Sequence, residues 1–404
     1  MRDGWERVAL REVCVLRRDR LDPRRMPADR VLKHFSIPAF DSTGGPSMDR
    51  AGHLRSHKFT VDRPSLLVSL LNPRIPRTVI AQGGPDVVCS TEMAVLQPRW
   101  GDVTIGYLGV WASSDAFRRE LERLVAGTTG SRQRVDPPEL LDLPFAFPPL
   151  AEQRRIVDLV GALDAGAALA CTLARAAETA LVSFLDEVAS QSSGNVVRPA
   201  DLLALSVGGD WGGDPGTGEI DLPVYRQTEF TDVGLLSRPA QAVRSLSVRK
   251  LERRRLRPGD ILLQKSAGTP SLPGRVVRCP DSIEEAVPSN FLQLLRPDPA
   301  QCSPAFLFWH LWRTHRVGIA LDYQAGTNIR NLDVGRYLLR EFVLPHRSDQ
   351  DRIAAAADEL QGVMLRATDV EHAIAGLRAA LLADLLSGSH AIPPSYDRFL
   401  DGAA

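Results

Sequence analysis

Two stretches of the chain place apolar and small residues at alternating steps of four and three. The first follows Pro148-Pro149 and runs Ile156, Val160, Leu163, Ala167, Ala170, Ala174, Ala177, Leu181, Phe184 and Val188. The second runs Ile353, Ala356, Leu360, Val363, Ala367, Val370, Ile374, Leu377 and Leu381, with Asp384 ending it. This alternation is a coiled-coil seam, an apolar stripe that one helix alone would expose to water. Each pattern predicts a helix of about 35 residues, roughly 50 Å long at ~1.5 Å per residue.

The two stretches align without a gap. Gln153 falls on Gln350, Arg155 on Arg352, Ile156 on Ile353, Phe145 on Phe342 and Pro148 on Pro345, all 197 positions apart (350 − 153). The chain is an internal duplication. Alanines at 167, 170, 174 and 177 let two helices approach closely, so the natural partner of each helix is the other copy.

The rest of the apolar pattern repeats as well. Leu66-Leu67-Val68-Ser69-Leu70-Leu71 reads as a buried strand, and its counterpart is Ile261-Leu262-Leu263-Gln264 after Arg257-Pro258-Gly259-Asp260. Strands are predicted at Thr78 to Ala81 and Val95 to Gln97, matched by Arg275 to Val277 and Leu292 to Leu295. Helices are predicted at Ala116 to Val125 and Pro304 to Arg316. Each is followed by Ala-Gly-Thr, at Ala126-Gly127-Thr128 and Ala325-Gly326-Thr327, then by a short apolar strand ending in proline and by the long helix. Residues 5 to 16 read as a short strand or turn, and the region after them as loop-rich. Gln191-Ser192-Ser193-Gly194-Asn195 is a polar linker between the halves.

Composition changes this picture little. A chain of 404 residues suits two globular units plus connecting elements. The five cysteines are scattered without a C-x-x-C pair, which indicates neither a zinc ribbon nor a disulfide framework and suits a reducing cytoplasm. Asp164, Arg175 and Glu178 interrupt the only long apolar run, so no membrane segment is expected. Net charge is zero, yet only four residues are lysine, and arginine is dense from Arg17 to Arg30 and from Arg244 to Arg257. The guanidinium fork suits phosphates and guanine edges.

Several apparent enzyme signatures dissolve. Asp136-Pro137-Pro138-Glu139 is similar to the Asn/Asp-Pro-Pro-aromatic motif of amino-methyltransferases, but a glutamate stands where the base-stacking aromatic belongs, and a helix start is the better reading. The glycine tract from Gly208 to Gly218 lacks the Gly-Lys-Ser/Thr ending of a nucleotide-binding loop. His53 and His57 stand four apart with Leu54 where a zincin glutamate would be, and neither His310 nor His315 has a partner at metal spacing. No catalytic centre, metal site or cofactor site is assigned to this chain.

The residues resemble a known family, the specificity subunits of type I restriction-modification enzymes, over the whole chain. The run Phe147-Pro148-Pro149-Leu150-Ala151-Glu152-Gln153-Arg154-Arg155-Ile156-Val157 looks like the family's opening of its first conserved helix. Arg257-Pro258-Gly259-Asp260-Ile261-Leu262 resembles the first core strand of its target recognition domains, and Ala126 to Arg134 its DNA-facing loop. Two departures stand out: Pro345-His346-Arg347-Ser348-Asp349-Gln350 replaces the second signature, and Asp62-Arg63-Pro64-Ser65 stands where Arg-Pro-Gly-Asp is usual.

The resemblance implies an α+β chain with two pseudo-repeated target recognition domains, mixed α/β globules, separated by two long antiparallel coiled-coil helices. The implied domains are residues 1–148 and 191–345, the spacer helices 149–190 and 346–388, and the tail 389–404. Each domain would read one half of a bipartite double-stranded DNA target. The helices would dock two methyltransferase subunits and, through them, restriction/motor subunits; S-adenosylmethionine, ATP and Mg would be used by those partners in the cytoplasm.

A rigid spacer between two readers fixes the distance between two short sequence elements. Candidate DNA-binding residues lie in the Gly-Thr loops and around the first core strand: Thr128, Ser131, Arg132 and Arg134 in the first half; Gln264, Lys265, Ser266, Thr327, Asn328, Arg330 and Asn331 in the second. A different class remains open beside this one, a coiled-coil scaffold whose two globules bind proteins.

Overall fold

Both long helices form, at Leu150–Gln191 and Arg347–Ser387, each about 60 Å long at ~1.5 Å per residue. They belong to a computed structural model that describes residues 5–75, 77–99, 101, 103–125 and 133–400. The chain divides into two compact units, Met1–Ala168 with Glu371–Ala404, and Leu169–Val370. The division falls inside both long helices, so each unit contains the first half of one and the second half of the other.

In the first unit the two helix segments run antiparallel. Arg378 Nε of the second helix donates to Asp164 Oδ1 of the first at 2.5 Å, and past the second helix's end the chain continues along the first, where the Tyr396 hydroxyl donates to Asp158 Oδ2 at 2.8 Å and Arg155 Nε to Asp397 Oδ1 at 2.6 Å. The apolar side of the pair enters one core in which Ile156 and Val160 pack with Leu382, Leu385 and Ile392 and with Tyr107, Trp111 and Phe145. In the second unit Ala177, Leu181 and Leu185 share a core with Ala354, Ala357 and Met364, and with Phe308, Trp309 and Trp312 from the helix Pro304–Arg316.

The predicted seam of the first helix is present: each of its ten positions is buried or half-buried. Of the nine positions of the second, seven are buried or half-buried. Val370 and Leu377 are 50% and 56% exposed, while Ala354, Ala357, Gln361 and Met364, one residue along from the predicted stripe, are buried. An α-helix turns once in ~3.6 residues, so a stripe of period 3.5 drifts around a long straight helix. This helix also packs against domain cores, and the buried face is wider than a two-helix seam. By length and composition Leu150–Gln191 could also cross a membrane; its buried positions instead enter the two unit cores, and Asp158 and Asp164 make the pairings above.

Each unit is built around a four-stranded antiparallel sheet. In the first the order is Cys14–Arg17, Met93–Pro98, Ser65–Ser69, Thr78–Ala81; in the second it is Leu203–Gly208, Leu292–Pro297, Ile261–Gln264, Val276–Arg278. The strand predicted from the unbroken run Leu66-Leu67-Val68 is buried on both faces, with Leu66 and Val68 in the core that takes the long helices and Leu67 in a second one with Phe59, Cys89 and Val95. Ile261, Leu262 and Leu263 divide in the same way. A sheet covered on both sides needs continuous rather than alternating apolar residues.

A second sheet also repeats. Val31–Phe35 pairs antiparallel with Ser47–Arg50 and parallel with Val87–Ser90; Ile220–Tyr225 pairs antiparallel with Ala242–Leu246 and parallel with Val287–Pro288. The loop-rich reading of the region after residue 16 is therefore corrected: Arg20–Leu21, Val31–Phe35, Ser47–Arg50 and Lys58–Thr60 are strands, with a helix at Ile37–Thr43. Their two to five residues are too short and too mixed in polarity to give a period. The polar linker is likewise shorter than predicted, because Asn195–Val197 pairs with Phe342–Leu344. The helix start expected at Asp136 is present, as Pro137–Leu140.

One polar device is built twice. Gln153 Oε1 accepts from Thr104 N at 2.9 Å and its Nε2 donates to Pro148 O at 2.9 Å; Gln350 Oε1 accepts from Ser303 N at 2.8 Å and its Nε2 donates to Pro345 O at 2.8 Å. Both amides are buried, and each ties the start of a long helix to the start of a domain helix. The second signature has changed around Gln350 but kept this bond pair. Replacing either glutamine by alanine strands a buried N–H and a buried carbonyl, and Gln350→Ala is expected to lower the stability of its unit by about 1–3 kcal/mol. Thermal unfolding checks this, and an unchanged transition would show that the amide is dispensable.

Candidate nucleic-acid interface

In the second unit the core strand Ile261–Gln264 runs on into Ser266–Ala267, which pairs with Arg330–Leu332; that strand pairs in turn with Gln324–Ala325. This small sheet gathers residues about 65 positions apart in sequence, and it brings together Gln264, Lys265, Ser266, Thr327, Asn328, Arg330 and Asn331. The hairpin tip turns at Gly326, whose φ of +104 and approach to Ile329 O, 2.2 Å from where a Cβ would stand, exclude a side chain. Thr327 and Asn328 are exposed there, and Ile329 is 55% exposed. Ser266 Oγ donates to Asn331 Oδ1 at 2.5 Å and so orients the amide.

Two of these residues turn inward. Gln264 is fully buried, its Nε2 donating to Ser266 O at 3.2 Å while its Oε1 has no partner among the described residues. Lys265 is half-buried, and its Nζ lies close to Gly208, where a Cβ would come within 3.2 Å of it. Arg254 Nε donates to the carbonyl of that same Gly208 at 2.8 Å. Burial first, and then the Arg254 charge, hold Lys265 below the ordinary lysine value. Among the described residues no carboxylate pairs with Lys265 or Arg330. Arg254 also faces the Asp210 carboxylate, which Lys250 holds at 2.9 Å, but Lys265 adds a second cation beside the same glycine, and together they favour an anion.

The first unit has the same address. Leu71 bridges Arg134 as Ser266 bridges Asn331. Val135 N donates to Leu70 O at 2.9 Å as Leu332 N donates to Lys265 O at 2.7 Å, and Leu70 N donates to Glu92 O at 2.9 Å as Lys265 N donates to Phe291 O at 2.8 Å. Leu70 thus matches Lys265, Arg134 matches Asn331, and Glu92 matches Phe291. Arg134 Nη1 lies 2.9 Å from Glu92 Oε2 and donates to Oε1 at 3.2 Å. Arg134 lines a cavity of about 240 Å³ together with Arg17, Arg18, Arg20, Phe59 and Thr91. Thr128, Ser131 and Arg132 lie outside the described residues.

Sequence reasoning did not single out Arg17, Arg18, Arg20, Arg254, Phe291 or Ile329. The arginine-dense tracts were visible in the sequence; that their residues flank the loop address was not, because the segments between them carry no readable period. Phe291, 41% exposed beside Lys265, gives no sequence signal at all. Among the described residues no group of three or more His, Cys, Asp or Glu could hold a metal. His310 lies stacked on Phe342 with ring centroids 3.8 Å apart and accepts from Arg340 Nη2 at 2.9 Å; burial, then Arg340 and Arg313, hold it well below the usual histidine value.

No protein-family model matches the sequence, and no curated protein matches it. Solved structures do. A chain from a structure describing complex assembly and conformational transition of a type I restriction-modification system is 21% identical over 95% of this chain and 98% of its own, with a TM-score of 0.59. The type I restriction-modification S subunit of M. genitalium is 12% identical over 95% of this chain and 96% of its own, with a TM-score of 0.56. The chain has the fold of these proteins along nearly its whole length.

Proposed function

We propose that this chain is the DNA-specificity subunit of a type I restriction-modification complex, without catalytic activity of its own. The observation that carries the reading is the loop address built twice on one backbone plan, with Lys265 and Arg254 in one unit and Arg17, Arg18 and Arg20 in the other gathered beside it. A duplicated cationic site suits a polyanion read at two places. Residues 1–148 and 191–345 are the readers, 149–190 and 346–388 the spacer helices, and 389–404 a tail.

The complex docks two methyltransferase subunits and, with them, restriction/motor subunits. Exposed apolar positions on the spacer helices support docking there: Leu173 and Val370, 197 positions apart, are 51% and 50% exposed. The partners bring S-adenosylmethionine, ATP and Mg, and the assembly works in the cytoplasm.

The test is binding of the chain, assembled with its methyltransferase subunits, to genomic DNA fragments across a salt series. A phosphate-neutralising reader loses affinity with a log-log slope near −0.9 per phosphate contacted. A scaffold that binds proteins through apolar surface would show no specific DNA binding and little salt dependence, and that result would overturn the reading. The isolated chain should neither methylate nor cleave DNA; activity from it alone would do the same.

A further inference from the structure

The two units carry the same backbone address but different side chains at it. We infer that the first unit reads a G·C pair through Arg134 and that the second reads an A·T pair through Asn331, with Phe291 and Ile329 against the thymine methyl. The inference rests on the DNA-reading function above and assigns base classes to its two halves.

The equivalence is fixed by hydrogen bonds rather than by sequence likeness. Arg134 and Asn331 occupy the same position in the bridge from the core strand, opposite Leu71 and Ser266. Each is held by a neighbour. Glu92 engages Arg134 only through Nη1, so Nε and Nη2 have no partner among the described residues. An arginine pinned at one nitrogen keeps a two-donor edge, which matches the two acceptors O6 and N7 of guanine. Ser266 holds Asn331 through Oδ1, which retains a second lone pair, and among the described residues the only bond from its Nδ2 is a long one, 3.4 Å, to Ile329 O. That exposed amide offers one donor and one acceptor, the pair that adenine N7 and N6 require.

The surroundings differ in the same sense. Beside Arg134 stand Glu92 and the cavity with Arg17, Arg18 and Arg20. At the corresponding place in the second unit Glu92 is replaced by Phe291, 41% exposed, and the hairpin tip presents Ile329, 55% exposed. Two large apolar side chains are left in water on this address, Ile329 two residues before the adenine-matching amide and Phe291 on the residue whose carbonyl accepts from Lys265 N, and neither joins a core of the unit. Their chemistry fits the one apolar group on a base edge of the major groove, the thymine methyl.

The test uses the intact complex with its methyltransferase subunits and a panel of duplexes in which each half-site position is varied singly. Arg134→Ala should abolish preference at one G·C pair of one half, weakening binding to the cognate duplex roughly 5- to 150-fold while leaving the other half's preferences intact. Asn331→Ala should do the same at one A·T pair of the other half. Phe291→Ala should reduce the distinction between thymine and uracil at that pair. The exchange Asn331→Arg with Phe291→Glu, which copies the first unit's chemistry into the second, should shift that position toward G·C. Unaltered melting of each variant separates a lost contact from a lost fold. If the wild-type complex binds DNA specifically but the variants keep every base preference, the inference is wrong and the reading of the chain stands. If the wild-type complex shows no specific binding, the reading itself falls.

Discussion

Arg296→Ala will destabilise the second unit by about 3–5 kcal/mol, the cost of leaving a buried charge without its partner. Asp260, the last residue of the Arg257-Pro258-Gly259-Asp260 run, is 1% exposed. Its carboxylate receives Arg296 Nε at 2.7 Å, Arg296 Nη2 at 2.7 Å and the backbone N–H of Arg257 at 2.7 Å. Without the guanidinium, among the described residues only the backbone donor is left. The double change Asp260→Leu with Arg296→Met removes both charges and should cost less than the single one. The first unit shows that the address does not need the pair: Ser65 stands in place of Asp260 and Gln97 in place of Arg296, with Gln97 Nε2 donating to Asp62 at 2.7 Å and its Oε1 accepting from Arg63 at 2.8 Å. Denaturant unfolding followed by tryptophan fluorescence measures both variants, and equal stability of Arg296→Ala and wild type would refute the assignment.

The second large effect concerns spacing. Inserting one heptad after Ala170 and another after Ala367, both buried on their helices, keeps the apolar stripe in phase. Each helix then lengthens by about 10.5 Å at ~1.5 Å per residue, and DNA advances ~3.4 Å per base pair. On the proposed function, the complex should recognise the same half-site bases with a gap about three base pairs longer. Affinity should fall, because the second reader meets a rotated face of the duplex. Altered half-site bases with an unchanged gap would mean that the helices do not set the spacing.

Much of the architecture is legible in the residues. The proline-framed start of each long helix, the alanine-rich seam of the first and the constant offset between copies all follow from side-chain period and size. The buried strands at Ser65–Ser69 and Ile261–Gln264 follow from unbroken apolar runs. On the second long helix seven of the nine spaced positions are covered, but Val370 and Leu377, which look like core from spacing alone, are exposed, and domain packing buries Ala354, Ala357 and Met364 as well. The short strands between Arg20 and Thr60 give no sequence signal, because their stability comes from pairing across the sheet, which no local period reveals.

The site was half visible. Ser266, Arg330 and Asn331 do meet in one small sheet, but Gln264 serves the core, where its amide is fully buried. Lys265, one of four lysines, is a candidate from the sequence, but its cationic neighbour is not. Only the fold puts its ammonium and the Arg254 guanidinium beside Gly208. Arg254 sits eleven residues earlier (265 − 254) on a separate helix, Val248–Arg254, and chain distance gives no hint of that approach.

The most direct test of the account is base mapping of modified genomic DNA from cells carrying this chain with its methyltransferase partner, against cells lacking only this chain. The account predicts one bipartite motif, two short specified elements separated by a fixed unspecified gap, and its disappearance when the chain is absent. A continuous motif, or modification unchanged without the chain, would contradict it.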